Sequence, residues 1–264
     1  MFARIVSAVQ RRSIGLATFA TVIVVWDVSV RVFSISRFLL PPPLDVLNSL
    51  RFLFQTDWFL TFARITITEI LAGFGIATMV AIILGVALAK SPKFERIANP
   101  LVVALQVTPK IAILPLILLV FGFGIASKIA MSAILSFFPI LKNVVLGAKS
   151  VPRSQIELMK ILNASRRQRI MKLEMPFVLP YLLTGLETGI VFAVTGAIVG
   201  EYLSSQVGLG ALVVISLSTL QVDQLFATVI VLAFIGLFLY GTISGLRRRL
   251  VPWHESAVVT PSSL

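Results

Sequence analysis

Six long apolar runs dominate this chain of 264 residues and restrict its fold more than any other feature. They cover residues 13–33, 64–89, 97–121, 127–148, 177–203 and 224–246. Each run reaches the ~20 residues that an α-helix needs to cross the hydrocarbon core of a bilayer. Charged residues make up 13% of the chain, whereas soluble domains carry about 25%. The sequence therefore predicts an all-α membrane protein, a polytopic bundle of six transmembrane helices in a lipid bilayer.

Basic residues gather in every second gap between these runs and at both ends of the series. The clusters lie around Arg11, Lys93, Arg166 and Arg248, and the one between the fourth and fifth runs is the richest. Lysine and arginine concentrate in the cytoplasmic loops of membrane proteins. We therefore expect these gaps and both termini to lie in the cytoplasm. The net charge of +12 is then a topology signal, and it does not indicate a nucleic-acid partner.

The composition argues against catalysis by this chain. It has no cysteine, and its single histidine, His254, lies in the polar C-terminal tail. Disulfides, thiolate nucleophiles and cysteine-based metal sites are thereby excluded, and no paired carboxylates occur where an active site could form. We expect no catalytic residue, no metal and no cofactor. Asp27 and Arg31 interrupt the first run, which favours an uncleaved span over a signal peptide. One helical turn apart, they are expected to pair.

Prolines and glycines are spaced unevenly within the runs. Pro109 and Pro115 interrupt the third run and Pro139 the fourth. Each removes a helical hydrogen bond, so the outcome is either a kink that aids packing or an irregular backbone that lines a cavity. Three glycine pairs have the small-xxx-small spacing that lets helix backbones approach closely; they are Gly185/Gly189, Gly196/Gly200 and Gly241/Gly245.

The outer connections are residues 34–63, 122–126 and 204–223. The three prolines at 41–43 predict a stiff linker in the first of them. In the last, residues 211–220 are apolar but too few to span a bilayer. We interpret them as a short helix at the outer face or dipping into it.

The loop between the fourth and fifth runs, residues 149–176, is called the elbow segment below. Ser154 with Glu157 and Ser165 with Gln168 have the spacing of capping boxes, which predicts two short helices. Asn163 lies between them, and asparagine tolerates the left-handed conformation that a sharp corner requires. The second helix is expected to end near residue 175, before Pro176. The pair either lies on anionic lipid or forms a docking knob for a soluble partner.

The elbow sequence ELMKILNASRRQRIMKLEMP resembles the cytoplasmic "EAA" loop in permease subunits of binding-protein-dependent ABC importers. Glu157, Leu173 and Pro176 match that pattern. The departures from it are Leu158, Met159, Asn163 and Met175. Roughly residues 64–254 resemble one branch of this family, the nitrate/sulfonate/taurine branch, which includes permeases for pyrimidine precursors. The resemblance is carried in order by LQVTPKIAILPLILLVFGFGIASK, FFPILKNVVLGAKSV, LPYLLTGLETGIVFA, GEYLSSQVGLG and RRRLVPWHES.

The resemblance implies a MetI-like permease fold of a type I ABC importer in the bacterial cytoplasmic (inner) membrane. Two copies would form the pore, a homodimer of a cytoplasmic ABC ATPase would dock on the elbow segment, and a periplasmic or extracellular solute-binding protein would deliver the solute. The chain has no G-x-x-x-x-G-K-[ST] loop, so ATP hydrolysis is assigned to a separate subunit. The expected ATPase-coupling residues are Glu157, Asn163, Ala164, Ser165, Arg166 and Pro176.

Polar residues inside the runs are candidates for the translocation pathway, because such residues are costly in a membrane. They are Gln106, Thr108, Lys110, Glu187 and Glu201. Glu201 resembles a glutamate common near this point in the family, whereas Glu187 stands where relatives usually have arginine. Lys110 either faces the pore or pairs internally with a carboxylate.

We expect three regions along the chain. Residues 1–63 form an N-terminal transmembrane helix and outer linker, 64–250 the permease core, and 251–264 a cytoplasmic tail. The expected function is inward transport of a small solute such as a sulfonate, nitrate, taurine or a pyrimidine precursor. The alternative is an ion-coupled secondary carrier, which the absence of a visible inverted repeat disfavours.

Overall fold

Every regular element among the described residues is a helix, as the sequence predicts. The structure, a computed structural model, describes residues 17–18, 20–204 and 206–252. The helices are α1 (20–32), α2 (Pro43–Phe54), α3 (Asp57–Lys90), α4 (Pro92–Val107), α5 (Leu114–Phe121), α6 (Ile125–Lys149), α7 (Arg153–Ile161), α8 (Arg166–Arg169), α9 (Met175–Ser204), α10 (Leu209–Ser218) and α11 (Val222–Leu250). A 3₁₀ turn (Lys110–Ile113) precedes α5, and a π turn (Ile170–Glu174) joins α8 to α9.

Four helical stretches in the described part of the chain are long and apolar enough to cross a membrane. They are α3, α6, α11 and the continuous stretch Arg166–Ser204 that contains α9. The bent pair of α4 with the segment Lys110–Phe121 raises the number to five if it is one span. The predicted first span, 13–33, begins outside the described residues, and α1 covers most of its described part. Asp27 and Arg31 on α1 form the expected ion pair, with Nε and Oδ2 2.7 Å apart.

The third predicted span is not one straight helix. The chain bends by 93° between α4 and the segment that starts at Lys110. The cause is local, because Pro109 forces the preceding residue out of helical geometry, and Thr108 has an extended ψ of 131°. Pro115 lies in the first turn of α5, where a missing N–H disturbs nothing. The backbone is therefore irregular at Pro109, whereas Pro115 interrupts no helix.

The predicted helix end before Pro176 is wrong. Arg166 to Ser204 is helical throughout, although Pro176 and Pro180 lie inside it. The π turn at Ile170–Glu174 explains the difference. Met175 donates its N–H to the carbonyl of Ile170, five residues earlier. This wider turn shifts the carbonyl groups that an α-helix would press against the Pro176 ring.

The described chain divides into two compact units. One comprises the chain up to Leu60 together with Leu212–Val231. Its α2 lies inside the predicted outer linker, and Pro43 is the first residue of that helix. Within this unit, Trp26 of α1 contacts Phe226 of α11, with ring centroids 5.8 Å apart. Ser49 of α2 also donates a hydrogen bond to Asp223, near the start of α11.

The other unit comprises Thr61–Ala211 and the chain from Leu232. Its core is built around α6, which packs against α3 through buried aliphatic side chains such as Ala81 and Val144. On its other side α6 packs against α9. A Cβ atom added at Gly196 would lie 2.7 Å from the carbonyl oxygen of Met131, and one at Gly189 2.6 Å from Ile140. These glycines therefore allow the close approach that their spacing predicts.

The third glycine pair behaves differently. No atom lies within 4 Å of the position that a Cβ would take at Gly241 or Gly245. This part of α11 also carries highly exposed apolar side chains, including Phe238 at 74%. Apolar exposure on this scale is expected of a surface that faces lipid rather than water.

Candidate functional site

The elbow segment contains two short helices, as predicted, but the first begins differently. Its helix α7 begins at Arg153 after Pro152, which has an extended backbone and no side-chain cap. Ser154 is therefore inside the helix, and the predicted Ser154–Glu157 capping box is wrong. The proline supplies the non-helical conformation that a helix start requires, and its missing N–H costs nothing there.

The corner after α7 forms as predicted at Asn163, which has φ +47°. Asn163 N–H donates to the carbonyl of Lys160 at 3.0 Å, and Ala164 N–H to that of Met159 at 2.9 Å. These two bonds are the Schellman pair, which satisfies the free carbonyls at a helix end. The corner is thus closed by the backbone itself.

The next helix is capped on the other side of the corner. Gln168 N–H donates to Ser165 Oγ at 3.2 Å, and Ser165 N–H donates to Gln168 Oε1 at 2.8 Å. This reciprocal pair confirms the second predicted capping box. Only residues 163 and 164 separate the capped end of α7 from the capped start of α8, which leaves the corner little freedom to fray.

The predicted coupling residues fall into two places. Glu157 is exposed on α7, and the remaining corner positions, Asn163 to Arg166, are contiguous and mostly exposed. Pro176 lies apart from them, inside α9. The same surface carries exposed aliphatic side chains. These are Leu158, Ile161 and Leu162, at 54%, 77% and 66% exposed.

An ionic contact fastens the elbow segment to the end of α3. The Glu174 carboxylate lies 2.9 Å from Lys90 Nζ and 3.0 Å from Arg169 Nε. Burial alone would raise the pKa of the Glu174 carboxyl, but the two cations outweigh it and hold that pKa below its ordinary value. Leu173 beside it is buried. A second pair, Lys149 with Glu95, joins the end of α6 to α4.

The polar side chains of the third run make local contacts, chiefly with backbone carbonyls one helical turn earlier. Lys110 Nζ donates to the carbonyl of Gln106 at 3.0 Å and lies 5.0 Å from the centre of the Phe138 ring. Thr108 Oγ1 donates to the carbonyl of Ala104. Gln106 also lines a cavity of about 240 Å³ beside Lys142. The three candidates are thus neighbours, and the contacts of Lys110 are with a carbonyl and an aromatic ring.

Glu187 has a partner that the sequence analysis did not consider. Its Oε1 lies 3.1 Å from Arg247 Nε, with side chains 8% and 18% exposed. Arg247 Nη1 also donates to Thr184 Oγ1 at 3.4 Å. The contact is an ion pair without the alignment of a strong hydrogen bond. It connects the last turn of α11 to α9 and does not involve Lys110.

Glu201 is fully buried and joins three helices. Its Oε1 accepts a hydrogen bond from Thr66 Oγ1 of α3 at 2.6 Å, and its Oε2 accepts one from Gly210 N–H at 2.5 Å. Thr66 Oγ1 in turn accepts from Leu209 N–H at 2.9 Å. Gly208, with φ +112°, has no room for a Cβ, which would lie 2.1 Å from Glu201 Oε1. The carboxylate therefore caps the first turn of α10.

Two further ionisable side chains lie beside Glu201, and the sequence analysis did not select either. The Glu69 carboxyl of α3 lies near that of Glu201 and is 1% exposed. Lys128 of α6 is 3% exposed and donates from Nζ to the carbonyls of Phe123 and Gly124 at 2.6 and 3.0 Å. Glu69 and Lys128 line a cavity of about 730 Å³. Both lie within or beside apolar runs, which is the signal that could have identified them.

These contacts occur in a chain whose sequence matches a known family. The model of the family described as "binding-protein-dependent transport system inner membrane component" matches residues 73–254. The chain belongs to this family. The matched region of the permease runs from the middle of α3 past the end of α11, so it contains the elbow segment, Glu187 and Glu201, whereas Glu69 lies just before it.

Named relatives cover nearly the whole chain. The permease is 33% identical to the formylaminopyrimidine transport permease protein ThiX of Halalkalibacterium halodurans, over 90% of this chain and 94% of the relative. It is 36% identical to the riboflavin transport system permease protein RibX of Chloroflexus aurantiacus, over 92% and 91%. It is 31% identical to the taurine transport system permease protein TauC of Escherichia coli, over 92% and 90%. The protein is therefore an ABC importer permease of the nitrate/sulfonate/taurine branch.

A solved structure supports the fold. The permease superposes on a chain in the "crystal structure of an amino acid ABC transporter with histidines" with a TM-score of 0.59. The match covers 77% of this chain and 97% of the other at 17% identity. Together with the family match, this likeness confirms the predicted MetI-like fold.

Proposed function

We propose that two copies of this permease form a pathway that moves a small solute inward. ATP hydrolysis in a separate ABC ATPase would drive the movement, and that ATPase would dock on the elbow segment. The observation that carries the proposal is the elbow itself. It presents exposed aliphatic side chains on α7 beside a corner whose backbone is closed on both sides. An exposed apolar surface on a stiff support favours a protein partner.

The connections of the elbow suggest how motion would pass into the membrane. Helix α8 continues through the π turn into α9 without a break, so a push on the corner would reach α9 directly. The contact of Glu174 with Lys90 would carry part of the same push to α3. A capped, continuous helix transmits displacement instead of absorbing it by fraying.

The solute is proposed from the relatives. Their names specify formylaminopyrimidine, riboflavin and taurine, and we propose a small solute of this range or a sulfonate or nitrate. A periplasmic or extracellular solute-binding protein would deliver it. We propose Gln106, Thr108, Lys110, Glu187 and Glu201 as residues of the translocation pathway.

We also propose that the protein lies in the bacterial inner membrane with both termini in the cytoplasm. The distribution of lysine and arginine supports this orientation. Cysteine labelling tests it on the naturally cysteine-free chain. Glu157→Cys should resist a membrane-impermeant maleimide in intact cells, whereas Ala126→Cys, at an exposed residue of an outer connection, should react. The reverse pattern would contradict the proposed orientation and the docking role with it.

The docking role is tested by purifying the permease from its native membranes and asking whether an ABC ATPase co-purifies with it. Asn163→Pro should lose the ATPase or uncouple ATP hydrolysis from uptake, since proline cannot adopt a positive φ. Asn163→Gly keeps that conformation and is the matched control. Glu157→Lys should likewise impair coupling, with Glu157→Gln as its control. Normal ATP-driven uptake in both disruptive variants would refute docking at the elbow, and proton-driven uptake without an ATPase would favour a secondary carrier.

A further inference from the structure

Residues 106–110, called the break below, form the corner of the third span, where the chain bends by 93°. They lie in the middle of the apolar run 97–121 and therefore at membrane depth. We propose that the break faces the break of a second copy of the permease, and that the two together enclose the solute path. The proposal rests on the two-copy pathway, because it names the surface through which the two copies meet.

The backbone at the break is not helical. Thr108 and Pro109 have extended ψ angles of 131° and 102°. Pro109 has no N–H, so the carbonyl of Leu105, four residues earlier, has no helical donor. Lipid offers no hydrogen bond, and irregular backbone at membrane depth occurs only where protein covers it or water reaches it. The break must therefore face protein or water.

No described part of the chain covers the break. Val107 is 77% exposed, and Thr108 and Pro109 are exposed as well. The two arms of the span are held to the rest of the chain by other side chains. Val102 of α4 packs against the core shared by α3 and α6, and Ile117 of α5 packs on α6. Water can reach the break only if something outside this chain separates it from lipid.

Helix α11 shows what a lipid-facing surface of this chain looks like. Its exposed side chains include Phe234, Leu237 and Phe238, and its backbone is helical from Val222 to Leu250. Such a helix satisfies its own backbone and needs no cover except lipid. The third span differs in having an interrupted backbone and the exposed polar side chains of Gln106 and Thr108. The need for a protein cover is therefore specific to the break.

The charge at the break is turned onto its own chain. Lys110 is the only charged residue between positions 97 and 120. Its Nζ donates to the carbonyl of Gln106 at 3.0 Å and lies 5.0 Å from the centre of the Phe138 ring of α6. A cation that binds a carbonyl at a helix C-terminus is favourably placed. Two breaks can therefore approach each other without two free ammonium groups between them.

The arms on either side of the break suit contact with an identical surface. A two-fold contact uses the same patch on both copies, so the patch must be complementary to itself. Uncharged apolar arms meet this condition, because they can pack on each other and leave the polar break between them as the lining of the path. The exposed apolar side chains of the arms are Leu101 and Leu105 on α4, and Leu116, Leu119 and Val120 on α5.

The test uses single cysteines in the naturally cysteine-free chain, in native membranes opened on both sides. Leu119→Cys, at a side chain that is 83% exposed, should give a disulfide-linked dimer on oxidation with copper phenanthroline. Val120→Cys is the second variant and should do the same. Thr108→Cys should react with a charged, water-soluble thiosulfonate. Phe238→Cys is the matched control, since it is equally apolar and exposed, and it should neither crosslink nor react.

Two results would overturn the proposal. One is a crosslink at position 238 with none at 119 or 120, which would place the contact on α11. The other is a Thr108→Cys thiol that stays unreactive, which would mean that water does not reach the break. The mass of the wild-type particle extracted in native lipid is measured separately. A dimeric mass without the crosslink would refute only this contact, whereas a monomeric mass would refute the two-copy pathway itself.

Discussion

The Glu174 carboxylate accepts a hydrogen bond from the Lys90 ammonium at 2.9 Å, although 84 positions separate the two residues in the chain. The contact ties the π turn of the elbow segment to the last residue of α3. In the proposed mechanism it makes α3 move with the elbow. Its contribution to stability is modest, about 0.5 kcal/mol, because the Lys90 side chain is 46% exposed.

Reversing this pair gives the first prediction. Lys90→Glu and Glu174→Lys each place like charges together and should lower solute uptake per ATP hydrolysed several-fold, with ATPase binding retained. The double variant restores the attraction between positions 90 and 174 and should recover part of the coupling. The recovery is incomplete because Glu174→Lys also places a second cation beside Arg169. The control is Lys93→Glu, because it makes the same charge change as Lys90→Glu. Lys93 has no ion pair among the described side chains. If the double variant is no better than the single ones, Lys90 and Glu174 do not act as a pair.

The same carboxyl group predicts a dependence on pH. The lowered pKa of Glu174 means that its ionic contacts stabilise the folded state above the ordinary value of 4.5. This contribution is lost as the pH falls through the lower folded-state pKa. The thermal unfolding temperature of the wild type should therefore be higher than that of Glu174→Gln at neutral pH, and this difference should become smaller in acid. A difference that grew below pH 4.5 would show that the contact has another origin.

The two predicted capping boxes should respond differently to mutation. Ser165→Ala removes the hydroxyl that accepts from Gln168 N–H and should cost about 1 kcal/mol of local stability. Hydrogen exchange of the first amides of α8 should then accelerate roughly fivefold. Ser154→Ala should leave exchange in α7 unchanged, since that helix begins without a side-chain cap. Equal effects of the two substitutions would contradict the helix start at Arg153.

Two glycines on different helices provide a matched test of packing. A Cβ at Gly196 would lie 2.7 Å from backbone atoms of Met131 and Ser132. Gly196→Ala should therefore separate α6 from α9 and destabilise the protein by about 1–3 kcal/mol. Gly241→Ala meets no atom within 4 Å and should be neutral or stabilising by up to about 1 kcal/mol. Thermal unfolding in detergent measures both, and a tolerated Gly196→Ala would argue against this close approach.

The hydrogen bonds of Thr66 are expected to matter for α10. Thr66→Val leaves Glu201 Oε1 and Leu209 N–H without this partner and should cost about 1–3 kcal/mol. The control is Thr68, which lies on an exposed face of α3 and donates from its hydroxyl to the Arg64 carbonyl one helical turn earlier. Thr68→Val should change the free energy of unfolding by less than about 0.5 kcal/mol. The readout is hydrogen exchange at the start of α10. Similar exchange in the two variants would exclude Thr66 as an anchor of that helix.

Features that depend on a few neighbouring residues were predictable. Asn163 at the corner, the Ser165–Gln168 capping box and the Asp27–Arg31 ion pair all occur as expected, because each involves residues no more than four positions apart. The Ser154 prediction failed for a local reason too. Pro152 precedes the first residue of α7, so the helix begins two residues earlier than a Ser154 cap would allow.

Features that depend on distant partners were not predictable. Glu187 and Glu201 were recognised as unusual, but nothing in their neighbourhood specifies Arg247 or Thr66 as partners. Glu69 and Lys128 also lie inside apolar runs, so the sequence carries the signal that marks them, but only the fold shows that they line one cavity. The predicted helix end before Pro176 is wrong because a π turn of five residues lets the helix continue through this proline.

The sequence by itself determines the helical class and the membrane setting, because long apolar runs are transferred favourably to lipid. It also determines the elbow segment, because the hydrogen bonds that form its corner and cap join residues a few positions apart. The bend of the third span by 93° became known only from the folded chain. The contact of Glu174 with Lys90 and the proximity of Glu69, Glu201 and Lys128 also became known only from the folded chain. Ionic and hydrogen-bonded partners far apart in sequence are chosen by how the helices pack, and packing depends on all of them at once.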